Sequence, residues 1–475
     1  MTSTSTTSSL KRASWLKRIG AILFAGVLVG TAASQENEPE GPRELLRLYG
    51  VRDEHFARLS DGRPVVDEER DALLRLLFAV RRFPLVDSQR WALRDAARRP
   101  ALSQPAEHRG EIHTLKGHVT SVAEQRPEPE VAARFDLEKY YRCELELSPS
   151  GGRAVVFAFQ VPSAWSKDAT TKRRASAVGF FFKLAGEGDQ PTPVYAARRL
   201  AWHPETFLGN LGMDVGLLEN VRDRSTLRSE DREAFYQTLA ALGQVTVADL
   251  ENIADQELQS RNARRKAENK PPWKRFQVLS LFKNSADWRG EPVVFEGTAR
   301  RAIHVRVEDE DIVQRFGITG YYEVEVFVDL GAYYKLYKDS DKTVSSYPLV
   351  FCLLDLPEGM PRGDRISQAV RVPGLFFKIW TYESQFAEQH DKGSRQMAPL
   401  LVGRGLTWYS PEEKPATESW PAIIAGTLFL LALAGVWYGL WRYSRGDKEF
   451  RATVIDRQFA PEEGVSLDDL KIDGD

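Results

Sequence analysis

Two stretches of this 475-residue chain repeat one pattern: VGFFFKLA at residues 178–185 and PGLFFKIW at residues 373–380. Both carry Gly-x-Phe-Phe-Lys, 195 residues apart, within an apolar run. Further matches flank them in the same order, from the Arg-Gly-Glu triplets at Arg109 and Arg289, 180 residues apart, to Arg198 and Arg404, 206 residues apart. Matches that keep their order while their spacing grows indicate an internal duplication with longer loops in the second copy.

The duplicated part is predicted to be β structure. CELEL and YEVEVFV alternate apolar and polar residues, as half-buried strands do, while AVVFAFQV and PLVFCLLDL are nearly continuous apolar runs suited to interior strands. Glycines such as Gly117 and Gly297 stand where a bulge would bend the sheet. About five bent strands in each copy predict a small barrel at residues 109–204, the first module, and another at residues 289–411, the second module.

In strand order, and in the strand-bend-strand around VRVPGLFFK, each module resembles an OB-fold. The resemblance is to a superfold, which implies an architecture and not an activity. A small β-sandwich is the alternative. The predicted fold class is therefore mainly β with α segments (α+β), with two duplicated barrel modules.

A helical prelude precedes each module, at residues 42–108 and at residues 205–288. Each prelude contains Val-Arg-Asp, starting at Val51 or Val221, and then an acidic stretch that opens an amphipathic helix. The apolar face of that helix includes Leu73 and Leu77 in one copy and Phe235 in the other. The preludes are thus predicted to belong to the repeated unit.

The two ends of the chain predict export and anchoring. Basic residues, a short apolar stretch and small residues make residues 1–34 a predicted signal peptide. Residues 412–421 are predicted to form a stalk, residues 422–441 an uncharged transmembrane helix followed by arginines, and residues 442–475 a cytoplasmic tail. The main body would then lie outside the cytoplasm, in the periplasm or the extracellular space, and the protein would be a single-pass protein of the cell membrane.

Composition limits the functional classes. Lys plus Arg number 65 and Asp plus Glu 67, so a net charge of −2 provides no general attraction to nucleic acid, and no nucleic-acid partner is predicted. Cys143 and Cys352 both lie in apolar strand-like runs, which predicts two buried free thiols and excludes a disulfide framework.

No motif for nucleophilic, phosphate-binding or metal-dependent catalysis occurs in the sequence, and no cofactor or metal is predicted. His108, His113 and His118 recur every five residues, a spacing that alternates faces along one strand. An envelope enzyme with a carboxylate or Arg/Lys site in the second module, using Glu325 and Arg404, is the alternative to a non-catalytic role.

A contact surface is predicted where the second module carries an insertion, GAYYKLYKDSDKTVSSY, between its second and third strands. Aromatic and cationic side chains on such a hairpin suit sugars, bases or a partner protein. Cations kept in both copies are first of all explained by the shared fold, with anion binding as the second interpretation. The predicted contact residues are Tyr333, Tyr334, Lys335, Tyr337, Lys338, Arg404 and Lys378.

The sequence thus favours an exported, membrane-embedded protein that acts as a non-catalytic binding or assembly component of the cell envelope, with a protein or an envelope glycan as its partner. Signal transmission through the short tail is a further alternative.

Overall fold

The computed structural model describes residues 39–94, 99–149, 151–165, 172–186, 191–335, 343–382, 396–409, 427 and 429–441. The first prelude contains six helices: α1 (Pro42–Leu48), α2 (Asp53–Ala57), α3 (Asp67–Arg82), α4 (Leu85–Arg90), α5 (Arg99–Ser103) and α6 (Pro105–His108). The first module follows with β1 (Ile112–Gln125), α7 (Pro129–Phe135), β2 (Tyr140–Leu147), β3 (Arg153–Gln160), β4 (Arg173–Ala185), β5 (Thr192–Arg199) and β6 (Ala201–Trp202).

The second half repeats this order. Its prelude contains α8 (Phe207–Asn210), α9 (Ser229–Leu242), α10 (Val247–Ala267), α11 (Val278–Lys283) and α12 (Ser285–Trp288). Its module contains β7 (Pro292–Arg306), α13 (Glu310–Phe316), β8 (Gly320–Lys335), β9 (Thr343–Leu353), β10 (Gln368–Tyr382), β11 (Gln396–Gly403) and β12 (Thr407–Tyr409). The long helix α10, which packs on β7 and β10, is the main addition in the second prelude.

Each module is a closed barrel of five strands. In the first, the hydrogen-bonded order is β1-β2-β3-β5-β4, and β4 pairs with β1 to close the ring. In the second, the equivalent order is β7-β8-β9-β11-β10, closed by the pairing of β10 with β7. Only β3 with β5, and β9 with β11, run parallel among these pairs. The predicted α+β class, the duplication and the two small barrels are therefore confirmed.

The Gly-x-Phe-Phe-Lys motif contains a β-bulge in both modules. The register of β4 against β5 shifts between Phe181 and Lys183, and that of β10 against β11 shifts between Phe376 and Lys378. A bulge inserts one extra residue and so breaks the alternation of faces. Phe181 points into the barrel, while Phe182 and Lys183 both face the helical prelude. The motif therefore places an aromatic ring and a cation side by side on the outer face.

Each barrel has two apolar layers. The interior of the first is filled from all five strands, with Cys143, Phe181 and Tyr195 fully buried. Its outer face, including Phe180 and Phe182, packs against α3 and the other prelude helices. The leucines predicted on the apolar face of α3, and Phe235 with Leu239 and Leu242 on α9, are all buried as predicted. Burial also raises the pKa of Cys143 to about 12, which leaves an inert thiol.

Three ion pairs join prelude to barrel at equivalent positions in the two halves. The pairs of the first half are Lys183 with Glu69, Arg109 with Asp61 and Arg134 with Asp71, and those of the second are Lys378 with Asp231, Arg289 with Asp223 and Arg315 with Glu233. In all three, the acidic partners lie 162 residues apart. Equivalent ion pairs thus join each prelude to its own barrel.

The Val-Arg-Asp match between the preludes is wrong in detail. Asp223 corresponds in space to Asp61 and not to Asp53, because Asp61 and Asp223 each accept a hydrogen bond at 2.8 Å from the amide that follows the motif lysine. Asp53 instead pairs with Arg47 on the surface. The two preludes therefore share the Val-Arg-Asp triplet, but its aspartate has a different role in each.

The predicted transmembrane helix at residues 422–441 is wrong. No helix in the described part of the chain is both long and apolar enough to cross a membrane. The helical stretch at residues 429–441 rises by about 20 Å, at about 1.5 Å per residue, whereas a bilayer's hydrocarbon core is about 30 Å thick. The predicted signal peptide, stalk and tail lie outside the described residues.

Candidate functional site

An extended hairpin projects from the second barrel where the insertion was predicted. Strands β8 and β9 continue beyond the barrel wall, and Tyr334 pairs with Val344 near the end of the hairpin. The register shifts between Asp329 and Tyr334, a part of β8 in which Gly331 has a φ of 74°. We call residues 329–335 and 343–346 the arm. In the first module, β2 and β3 have no such extension.

Aromatic side chains are exposed on the arm. Tyr333 is 77% exposed and Tyr334 is 38% exposed. At the base of the arm, Arg275 forms an ion pair of 3.0 Å with Asp329, whose other carboxylate oxygen accepts a hydrogen bond from the amide of Gly331. These contacts fix the start of the arm and leave the two tyrosine rings facing solvent.

The other predicted contact residues are not gathered at the arm. Lys335 is the last residue of β8, and Tyr337 and Lys338 lie outside the described residues. Arg404 forms an ion pair of 2.5 Å with Asp355 at the end of β9. Lys378 is fully buried, and its ammonium contacts Asp231 at 2.7 Å and the hydroxyl of Ser225 at 2.9 Å. Desolvation lowers the pKa of Lys378, although Asp231 opposes that effect.

The two residues considered for an enzyme in the second module lie apart. Glu325 is opposite Val350 in the β8–β9 ladder, whereas Arg404 pairs with Asp355. Val350 lies within β9, which ends at Leu353, and Asp355 lies beyond that end. Glu325 and Arg404 thus contact different parts of the chain, and an enzyme site that uses them stays a prediction.

His108 is the last residue of α6, whereas His113 and His118 lie on opposite faces of β1, as their spacing predicted. His113 is fully buried in β1 and His118 is exposed on the same strand. Glu111 lies between His108 and His113, with its carboxylate oxygens 2.8 Å and 3.4 Å from their ring nitrogens. Within the described residues, no group of three or more side chains is arranged to hold a metal ion.

The basic run at residues 261–275 forms part of α10 and the turn that follows it. The guanidinium group of Arg261 lies 3.6 Å from the centre of the Trp288 ring, and that of Arg265 lies 4.3 Å from Trp273. Arg261 also pairs with Glu257 one turn earlier. By these cation–π contacts Arg261 holds α10 against α12, and Arg265 holds α10 against the segment that follows it.

A groove of about 580 Å³ crosses the outer face of the first barrel, between α3 and strands β2, β3 and β5. Arg70 and Leu73 of α3 form one side. Its polar strand residues are Arg142, Glu144, Glu146 and Arg153, and Tyr140 and Phe157 are among its apolar ones. A volume of this size is in the range of small-molecule pockets. We call this space the first-module groove.

The corresponding space in the second module is filled by aromatic rings. Ala185, which lines the first-module groove, has Trp380 as its counterpart after the second Gly-x-Phe-Phe-Lys motif. Trp380 is 2% exposed and stacks on Tyr382, with ring centres 4.5 Å apart. The two copies therefore share a backbone and differ in whether this face is open.

Comparison of the chain with known protein families and with curated proteins gives no match. The arm and the first-module groove are therefore the two features from which we infer a function. The arm was predictable because it is an insertion in one copy. The first-module groove was missed, although the alanine in place of a tryptophan after the repeated motif was a signal for it.

Proposed function

We propose that this chain is a non-catalytic binding protein built on two barrels of the OB-fold type, and that the arm of the second module contacts a protein or glycan partner. The strand order, with the first strand paired to both the second and the fourth and the third parallel to the fifth, supports the OB-fold assignment.

The observation that carries the proposed function is the exposure of Tyr333 and Tyr334 on the arm. Large aromatic side chains are enriched at the centres of interfaces, because they bury much surface with few rotatable bonds. Here they stand beyond the barrel wall, away from the packing that accounts for the other retained aromatic residues. The barrels then act as a rigid base that holds this surface.

The predicted export signal supports a partner outside the cytoplasm, in the cell envelope. This part of the proposal rests on residues 1–34, and it makes an envelope protein or glycan the first class of partner to examine.

A capture experiment tests the role of the arm. The full-length protein and the variant Tyr333→Ser/Tyr334→Ser are used to capture material from cell-envelope extracts, followed by mass spectrometry and glycan analysis. Tyr409→Ser provides a matched control, because Tyr409 is an aromatic residue with 49% exposure on β12, and strands β7 and β10 lie between β12 and β8 in the sheet.

We expect one partner to be retained by the unmodified protein and by Tyr409→Ser, and to be lost from the double variant. Equal retention by all three proteins would assign the arm a purely structural role and would overturn the proposal.

A further inference from the structure

We propose that the first-module groove is a second binding site, separate from the arm, and that it takes an anion with an apolar body. The proposal rests on the volume of the groove, the state of its charged side chains and the comparison with the second module. It does not depend on the function proposed for the arm.

One cation of the groove, Arg153, forms no ion pair with the residues that the structure describes. Its exposed side chain makes no hydrogen bond to them either, and it acts on Glu146 only through space, where its charge helps to lower the pKa of that carboxyl. It lies opposite Glu146 in the β2–β3 ladder, but the carboxylate of Glu146 is 2.7 Å from the ammonium of Lys172. The guanidinium of Arg153 is thus available to an anion from solution.

The other charges at the groove are compensated. Arg142 pairs with Glu144 at 2.8 Å, and Arg70 pairs with Asp67 at 2.6 Å. With Glu146 bound by Lys172, Arg153 is the lining cation that has no ion pair of its own among the described residues. Charge complementarity therefore favours a ligand with one negative group over a cation or a neutral polymer.

The rest of the groove is suited to an apolar body. Leu73, Tyr140, Val155 and Phe157 line it, and all belong to the outer apolar layer between α3 and the barrel. Ligand pockets commonly combine such a lining with a few polar groups that fix orientation. The side chains from α3 and from the strands would contact the body, while Arg153 at the start of β3 would bind the charge.

In the second module, which has the same strand arrangement, the equivalent groove is closed. At the position of Ala185 it carries Trp380, and at the position of Arg153, 195 residues later, it carries Pro348. Both features that the proposal uses, the open space and the free cation, are thus absent from the copy that packs the same face with aromatic rings. Features that differ between the copies are not requirements of the shared fold.

The test uses two fluorescent probes with the same apolar body: anilinonaphthalene sulfonate, which is an anion, and N-phenyl-1-naphthylamine, which is neutral. Both are titrated into the full-length protein and into Arg153→Gln, Ala185→Trp and, as a matched control, Arg306→Gln, which changes an exposed arginine at the end of β7 in the second module. Circular dichroism and thermal melting establish that each variant is folded.

We expect saturable binding of the anionic probe, weakened about tenfold by Arg153→Gln, as loss of one charge-assisted hydrogen bond implies. The neutral probe should not respond to that change. Ala185→Trp, which copies the second module, should abolish binding of both probes, and Arg306→Gln should leave the binding of both unchanged. If the folded Ala185→Trp variant binds the anionic probe as well as the unmodified protein does, or if Arg153→Gln has no effect on that probe, the proposal is wrong.

Discussion

Lys183 and Glu69 form an ion pair 2.7 Å long in which neither side chain is more than 1% exposed. The carboxylate oxygens of Glu69 also accept hydrogen bonds from the amides of Ser60 and Val66. Because Val66 is the residue before the first turn of α3, the carboxylate also caps the N-terminus of that helix. Burial by itself raises the pKa of Glu69, but the hydrogen bonds from Lys183 and the two amides lower it overall. One residue thus joins the barrel motif to the prelude helix.

Removing the cation of this pair should be strongly destabilising. Lys183→Met leaves the charge of Glu69 buried without its partner, and we expect a loss of about 3–5 kcal/mol in the free energy of unfolding. Denaturant unfolding followed by circular dichroism measures it.

The double variant Lys183→Met/Glu69→Gln should recover part of that loss, because no unpaired charge remains buried. Arg47→Met, which breaks an exposed pair with Asp53, should cost less than about 1 kcal/mol. If Lys183→Met lowers the free energy of unfolding no more than Arg47→Met does, the buried pair of Lys183 with Glu69 does not stabilise the fold as we infer.

Gly117 should not tolerate a side chain. It lies in β1, two residues before the register shift between Val119 and Ser121. A Cβ atom there would overlap the backbone carbonyl of Glu146 and lie 3.0 Å from the Cα of Leu147. We expect Gly117→Ala to reduce stability by about 1–3 kcal/mol, measured by thermal melting.

Gly152→Ala is the matched control, since the nearest atom to its Cβ would be 4.0 Å away. Its effect should stay within about 0.5 kcal/mol. Similar melting temperatures for the two variants would show that the close approach of β1 and β2 does not require glycine.

His203 should make stability depend on pH. Its Nε2 atom lies 2.7 Å from the hydroxyl of Ser176 and its Nδ1 atom 2.9 Å from the carbonyl of Met213. Burial lowers the pKa of His203; the Met213 carbonyl and Asp214 oppose this effect, whereas Arg174 and Lys116 add to it.

Because this pKa is lower in the folded state, the unfolded chain takes up a proton at His203 first as the pH falls below about 6.5. Stability is therefore lost on going from pH 7 to pH 5. We expect His203→Gln, which keeps both hydrogen bonds feasible, to lose less stability over that range. Parallel pH profiles for the two proteins, from urea unfolding at each pH, would contradict this role.

The sequence predicted those features that depend on local pattern. Repeated motifs revealed the duplication, and apolar periodicity located the buried face of α3. The bulge at Phe182 was not predictable from alternation, because it breaks alternation. The pairing of Asp61 with Arg109 depends on tertiary contact, so a local match to Asp53 was misleading. The apolar run at residues 422–441 met a compositional rule for membrane spans that the described helix is too short to fulfil.

The two candidate sites also differ in how far the sequence predicts them. The arm follows from a difference in length between the two copies, which a sequence displays directly. The groove depends on which side chains compensate one another, and the pairing of Glu146 with Lys172 rather than with Arg153 is visible only in three dimensions.

Site-specific photo-crosslinking shows directly whether the arm contacts a partner. A benzophenone amino acid replaces Tyr333 in one protein and Tyr409 in another, and each is irradiated in intact cells. If the arm binds a partner, we expect a discrete crosslinked product of higher mass from position 333 and none from position 409. No product from position 333, or the same products from both positions, would contradict the proposal that the arm is the partner-binding surface.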